Sequence, residues 1–363
     1  MSEEIGKFRF RDQKTAENII KQLKAFNTEL TIMHVCGTHQ DTLVKHGLER
    51  MLNDVGVYIK QGPGCPVCVT TTREVEEILA LAKNGVTVTA FGDMIMVPGA
   101  TSSLYEARSH GADIRIVYSV DDAVDIARKI TKEVVFMSVG FETTSPSTAS
   151  VIEKRPPDNF SILTCNRVVP PALEAILSMG ELKLDGLIEP GHVSTIIGTK
   201  PYEPLSQRYH IPQVIAGFEP IDLLMAVLMI ARQVDSGRAI VENEYTRIVK
   251  PEGNRKAMEL LDMVFDPMDV EWRGFPKIPK SGYRLKEEYM SYDARLRFRD
   301  ILGPIADMEF SEPEGCLCGD VLRGLIDSSE CPLFGTQCTP KTPIGPCMVS
   351  SEGSCNIAYR YNK

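Results

Sequence analysis

The stretch LTIMHVCGTHQDTLVKHGLERML, residues 30–52, opens on a short β-rich apolar run that ends at Cys36 and continues with apolar residues at helical spacing. A strand that passes into a helix through a tight polar turn is the first half of a βαβ unit. The pattern recurs downstream: VGVYIKQG (55–62) leads to a helical stretch at 72–83, VTVTAFGD (86–93) to one at 102–109, and DIRIVYS (113–119) to one at 120–130. A second series begins at Glu133, with EVVFMSVG, FSILTC, LDGLIEP and PQVIAG each running into helical sequence, the last at 220–233. Such alternation predicts an α/β fold with parallel sheets, here in two similar halves, 28–131 and 132–249. The tripeptide Gly-Phe-Glu ends a strand in both places where it occurs, at 140–142 and 217–219, a short hint of internal repetition.

Outside these halves the pattern changes. Residues 8–25 place Ala16, Ile19, Ile20, Leu23 and Ala25 at helical spacing, which predicts an opening helix within 1–27, expected to pack on the C-terminal unit. From about Lys250 the prolines at 251, 267, 276, 279 and 304 break the chain and the strand alternation is lost. Residues 250–363 therefore read as a third, loop-rich and helical unit, and a bound metal centre would help to order it.

With 363 residues, 43% hydrophobic and 25% charged, the chain has ample material for a core. A net charge of −9 and the lack of any dense Lys/Arg run argue against nucleic acid as a partner. The first residues lack the apolar core of a secretory signal, and the longest apolar run, 223–231, is too short to cross a bilayer. A cytoplasmic protein with no membrane attachment is the expectation. In that reducing compartment ten cysteines point to metal ligation, redox exchange or soft-ligand chemistry rather than to a disulfide framework.

Three constellations carry that chemistry. Cys36-Gly-Thr-His39 follows a strand directly, so Cys36 would enter the crevice at the sheet's carboxyl edge beside a helix N-terminus that favours the thiolate. The competing reading is a buried core cysteine. Gly62-Pro-Gly-Cys65-Pro-Val-Cys68 fixes a C-x-x-C pair in a rigid turn, within reach of one metal or of each other as a disulfide. Half a zinc site, completed by Cys36 and His39, is its alternative. The third is Cys316, Cys318, Cys331, Cys338, Cys347 and Cys355, too many thiols in one segment for packing alone. Four thiolates are what a 4Fe-4S cluster needs, and two remain over. An all-cysteine zinc site usually shows two tight knuckles, which this spacing lacks. Asp93, Glu142-Thr143-Thr144 and His192-Val193-Ser194 stand where a crevice would be lined, yet each could equally be a helix cap or a satisfied loop residue, whereas Cys165 has no nearby partner and reads as structural. No P-loop, G-x-G-x-x-G or G-x-S-x-G occurs.

The set Cys36-Gly-Thr-His39, Gly62-Pro-Gly-Cys-Pro-Val-Cys68, Gly140-Phe-Glu-Thr-Thr144, Pro190-Gly-His-Val-Ser194 and Pro343-Ile-Gly-Pro-Cys-Met-Val-Ser-Ser-Glu-Gly-Ser-Cys355 resembles the HypD family of hydrogenase maturation factors, nearly end to end. The resemblance implies a monomer with two Rossmann-like domains and a C-terminal 4Fe-4S domain. It implies work on the Fe(CN)2CO part of nickel–iron hydrogenase centres, with a HypC-type small chaperone and a HypE-type cyanide donor. By this resemblance Cys36 is an Fe(II) ligand shared with a chaperone cysteine, His39 a neighbouring or transfer residue, and Cys65 and Cys68 a redox pair. Cys316, Cys331, Cys338 and Cys355 then become cluster ligands, leaving Cys318 and Cys347 as a dithiol. The glycines at the strand ends suggest further that the amides of Gly37 and Gly64 donate to cyanide nitrogens. The rival reading is a thiol–disulfide reductase of the ferredoxin:thioredoxin type, and an assembly scaffold with redox function is an enzyme only by a broad definition.

Overall fold

The computed structural model describes residues 12–361. Its strands are β1 (Leu30–His34), β2 (Val57–Gln61), β3 (Thr87–Phe91), β4 (Ile114–Val117), β5 (Val134–Gly140), β6 (Phe160–Asn166), β7 (Gly186–Pro190), β8 (Gln213–Ala216), β9 (Val241–Asn243), β10 (Phe265–Glu271) and β11 (Lys277–Leu285). Two sheets are wholly parallel, one ordered β2-β1-β7-β8-β9 and the other β4-β3-β5-β6, with β10 and β11 forming a separate antiparallel ribbon. Strands β5 and β6 are buried along their whole length, as expected of a parallel sheet covered on both faces. Helices start where the sequence supplies caps: Thr71 with Glu74, Ser103 with Glu106 and Ser119 with Asp122 each close a capping box.

The α/β class and the two Rossmann-like sheets agree with the sequence reading, but the halves do not divide at residue 131. After β2 the chain leaves the first sheet, builds β3 to β6 of the second, and returns for β7 to β9. The helix Gln13–Phe26 does not sit on the C-terminal unit as expected. Its apolar face, with Ile19 and Leu23, packs on the helix Pro220–Asp235 behind the first sheet, where Arg232 also donates to Gln22 at 3.0 Å. Residues 8–11 of the expected helix lie outside the described residues. The unit after Lys250 is also less separate than expected. Helix Arg255–Val264 packs on Ser145–Glu153, and β11 lies against β6 of the second sheet.

The main core fills the space between the two sheets and the cysteine-rich tail. It contains a buried ion pair, Arg167 to Glu74 at 2.7 Å, in which Arg167 also donates to the Glu271 carbonyl at 2.8 Å. Burial alone would raise the Glu74 pKa, yet Arg167 holds it below the ordinary value. Substituting Arg167→Met removes the cation and leaves the carboxylate buried. We expect a loss of roughly 3–5 kcal/mol in urea unfolding, whereas a change under about 1 kcal/mol would mean Glu74 is neutralised elsewhere. No helix among the described residues is long and apolar enough to cross a membrane.

Candidate functional site

The order of the first sheet explains how distant motifs meet. With β2, β1, β7 and β8 side by side, the loops leaving their carboxyl ends carry Gly62–Cys68, Cys36–His39, Pro190–Ser194 and Gly217–Glu219 in that spatial order, along one edge. Cys36 is the N-cap residue of helix Gly37–Lys45 and is buried. Gly64 lies directly against it: a Cβ there would fall 2.1 Å from the Cys36 nitrogen and 2.3 Å from the Val35 carbonyl carbon. Gly37 N donates to Gly64 O at 3.2 Å and Gly62 N to His34 O at 2.8 Å, which ties the two loops together. Cys65 caps the one-turn helix Pro66–Val69, Cys68 lies within it, and the two form a disulfide, so their sulfurs hold each other. Beyond them Arg273 grips the chain, its N donating to Val69 O at 2.9 Å and its Nε to Thr70 O at 3.0 Å.

This geometry overturns one expectation. The Gly37 amide is spent on Gly64 O, and the Gly64 amide donates to Gly62 O at 2.8 Å, so neither is free for a cyanide nitrogen. The Cys36 side chain makes no capping hydrogen bond. Burial pushes its thiol up to about 11, opposed by the nearby amides of His39 and Thr38. A desolvated thiol with backbone donors at hand gains most from becoming a thiolate when a cation arrives. Across from it stands Glu352, a residue of the segment 343–355 whose part in the site nothing in the sequence signals. Thr38 Oγ1 donates to Glu352 Oε1 at 3.2 Å, Glu352 presses on the Gly37 backbone, and Arg360 donates to Asp41 at 3.0 Å. The tail of the chain thus closes one side of the Cys36 loop.

The second histidine of the motif behaves differently from a surface base. His39 is fully buried, and burial, aided by His34 and His192 and opposed by the backbone of Ala216 and Gly217, lowers its pKa to about 3. Its ring lies 5.2 Å from that of Phe218, which also stacks on exposed His192 at 3.8 Å. His39 is therefore a neutral wall residue beneath the site. Two carboxyls complete the interior. Glu142 donates nothing but accepts Val169 N at 2.9 Å, and burial raises it to about 7. Glu189, at the end of β7, has no partner for either oxygen and is raised by burial to about 8. Tyr202, hydrogen-bonded to Ser194 at 3.1 Å, feels Glu189, Glu142 and Cys36 together.

Glu189 gives a pH prediction of definite sign. Its folded pKa exceeds the ordinary value of 4.5, so its contribution is fully present below pH 4.5 and is lost as pH rises through about 8. Glu189→Gln has no such proton to lose. Between pH 5 and 8 the variant should gain on the parent by about 1.4 kcal/mol per pH unit in urea unfolding. Parallel curves would mean that Glu189 is ionised inside the fold.

The remaining thiols gather in the tail. Cys316, Cys318, Cys331, Cys338 and Cys355 line one cavity with Val321, Leu333, Phe334, Gly345 and Met348. Cys318 neighbours Cys316 on one side and Cys347 on the other, and its thiol pushes the pKa of each upward. Cys347 is fully buried and does not line the cavity. Ile344 N donates to Cys338 Sγ at 3.4 Å, and a Cβ on Gly345 would come within 2.8 Å of the Cys316 and Cys318 sulfurs. Among the described residues no three His, Cys, Asp or Glu side chains are grouped as a single ion would require. The donors line an apolar, sulfur-rich wall, a set chemically suited to an iron–sulfur cluster and ill suited to a hard cation. Cys165 lies buried on β6 near Glu74 and Arg295, away from the other thiols, and burial raises its pKa.

The HypD family, described as "Hydrogenase formation hypA family", matches residues 12–362. The chain is 47% identical over 354 residues to a protein of Methanocaldococcus jannaschii named for hydrogenase expression and formation, covering 96% of this chain and 97% of that one. It is 41% identical over 370 residues to the hydrogenase maturation factor HypD of Cupriavidus necator, with 98% and 96% covered. The corresponding protein of Rhizobium leguminosarum bv. viciae is 42% identical over 371 residues, with 98% and 94% covered. The thiol-lined strand edge and the cysteine-lined tail are therefore those of a hydrogenase maturation factor, and the chain belongs to the HypD family.

Proposed function

We propose that the chain holds iron on Cys36 while cyanide and carbonyl ligands are assembled on it, together with a cysteine of a HypC-type chaperone and with cyanide from a HypE-type donor, in the cytoplasm. The observation that carries this is the contact of Gly64 with the Cys36 backbone, which seats a metal-competent thiol against a C-x-x-C pair. Fe(II) bearing cyanide and carbonyl is a soft centre suited to thiolate. Freeing cyanide from a donor thiocyanate takes two electrons. The reduced pair supplies them in a balanced exchange, in which R–S–CN, one thiolate and one thiol give R–SH, cyanide and the Cys65–Cys68 disulfide.

The oxidised pair must then be reduced again. Cys347 sits on the short helix Pro346–Val349, which packs on Pro66–Val69, the helix that carries Cys68. Its thiol partner Cys318 adjoins the cavity where Cys316, Cys331, Cys338 and Cys355 would hold a 4Fe-4S cluster. Such a cluster supplies electrons singly. The chain's own dithiols gather them in pairs.

The test is infrared spectroscopy on anaerobically prepared complex with the small chaperone, at roughly 1900–2150 cm⁻¹ where metal-bound carbonyl and cyanide absorb, beside Cys36→Ala. Bands present in the parent and absent in the variant support the scaffold. Samples without bands that are nevertheless brown and reduce a disulfide substrate would replace it with a reductase.

A further inference from the structure

His34, the last residue of β1, is fully buried two residues before Cys36. Cys36 N donates to its Nδ1 at 3.4 Å, and its Nε2 lies 2.7 Å from Gln40 Oε1. Gln40 Nε2 in turn donates to Glu49 Oε1 at 2.9 Å. A backbone amide can only donate, so Nδ1 must be the bare nitrogen and Nε2 must carry the proton. Every role down the line is then fixed: imidazole to amide carbonyl, amide N–H to carboxylate. The line crosses three elements, β1, helix Gly37–Lys45 and helix Leu48–Asn53. It ends in a polar cavity of about 190 Å³ lined by Gln40, Glu49, Asn53, Gln61, Asp327 and Ser354 among others.

From this geometry we infer that His34, Gln40 and Glu49 are positioning residues for Cys36: the line locks His34 in one tautomer, and that tautomer holds the Cys36 amide and with it the thiol. The amide has no other partner at this distance among the described contacts, and an unanswered buried donor is expensive. Glu49 sits on a separate helix and between the cysteine-rich tail and the first sheet, so the pose of Cys36 is referred to the seam where those two parts meet. The inference concerns how the thiol is held, and it rests on the scaffold reading only in making Cys36 the iron-holding thiol.

Its test needs no iron. In the full chain with ¹⁵N-labelled histidine, two-bond correlation spectra should find His34 as the Nε2–H tautomer. The proton on Nδ1 would overturn the assignment. Alkylation of Cys36 by iodoacetamide, followed by peptide mass spectrometry, should rise about tenfold in His34→Leu and return toward the parent in His34→Asn, whose side-chain oxygen takes the place of Nδ1. Gln40→Leu should give a mixed tautomer and a smaller rise. Buried Cys165 reports general loosening. If it rises in step in His34→Leu, the decision passes to the His34→Asn and Gln40→Leu pair. Equal Cys36 rates in parent and Gln40→Leu, with the tautomer unchanged, would overturn the line. Absence of infrared bands in the loaded parent would instead count against the scaffold and leave these readouts intact.

Discussion

Replacing Gly64 by alanine should abolish maturation as completely as removing the Cys36 sulfur, although it touches no thiol. The new Cβ would stand 2.1 Å from Cys36 N, 2.4 Å from Cys36 Cα and 2.3 Å from Val35 C. These are backbone atoms in a close-packed interior, and no rotamer change moves them away. The two loops must part, which breaks the Gly37 N to Gly64 O bond and shifts Cys36 away from the Cys65–Cys68 turn. Overpacking of this kind costs roughly 3 kcal/mol or more. Gly92→Ala is the matched control, since its Cβ would meet nothing closer than Ile116 Cγ2 at 3.7 Å. The measurements are hydrogenase activity in cells that depend on this chain and the infrared bands of the chaperone complex. Both should vanish in Gly64→Ala and persist in Gly92→Ala. Wild-type bands in Gly64→Ala would show that the loop contact does not position the iron thiol.

Much of this was legible in the chain because strands bounded by turn residues announce themselves. Each run from LTIMHV to PQVIA became a strand. What periodicity cannot give is the neighbour: a buried parallel strand reads as apolar whichever sheet it joins, so the return of the chain to the first sheet at β7 was hidden. The prolines at 267 and 279 were read as breakers, yet both lie in a two-stranded ribbon, where edge positions tolerate a missing donor. Cysteines stood out by number and spacing. His34, Glu189 and Glu352 did not, because a polar residue at a strand end or in a tail looks the same whether it meets solvent or a buried partner. Glu189 is the sharpest case, since its lack of any partner is visible only once β1 and β8 flank β7.

The second large effect separates the six tail cysteines. Serine at Cys316, Cys331, Cys338 or Cys355 should remove the broad thiolate-to-iron absorption at roughly 400 nm from anaerobically purified protein, because each contributes its sulfur to the cavity wall. Cys347→Ser should stay brown yet lose maturation, because Cys347 lies outside the cavity, beside Cys318. Cys318 is the discriminating position, since it both lines the cavity and neighbours Cys316 and Cys347. If it belongs to the dithiol, Cys318→Ser keeps its colour and resembles Cys347→Ser in every assay. A colourless Cys318→Ser beside a brown Cys316→Ser would exchange those two roles. A colourless Cys347→Ser would break the proposed electron route, because the thiol on the helix that packs on Pro66–Val69 would then be a ligand with no capacity to form a disulfide.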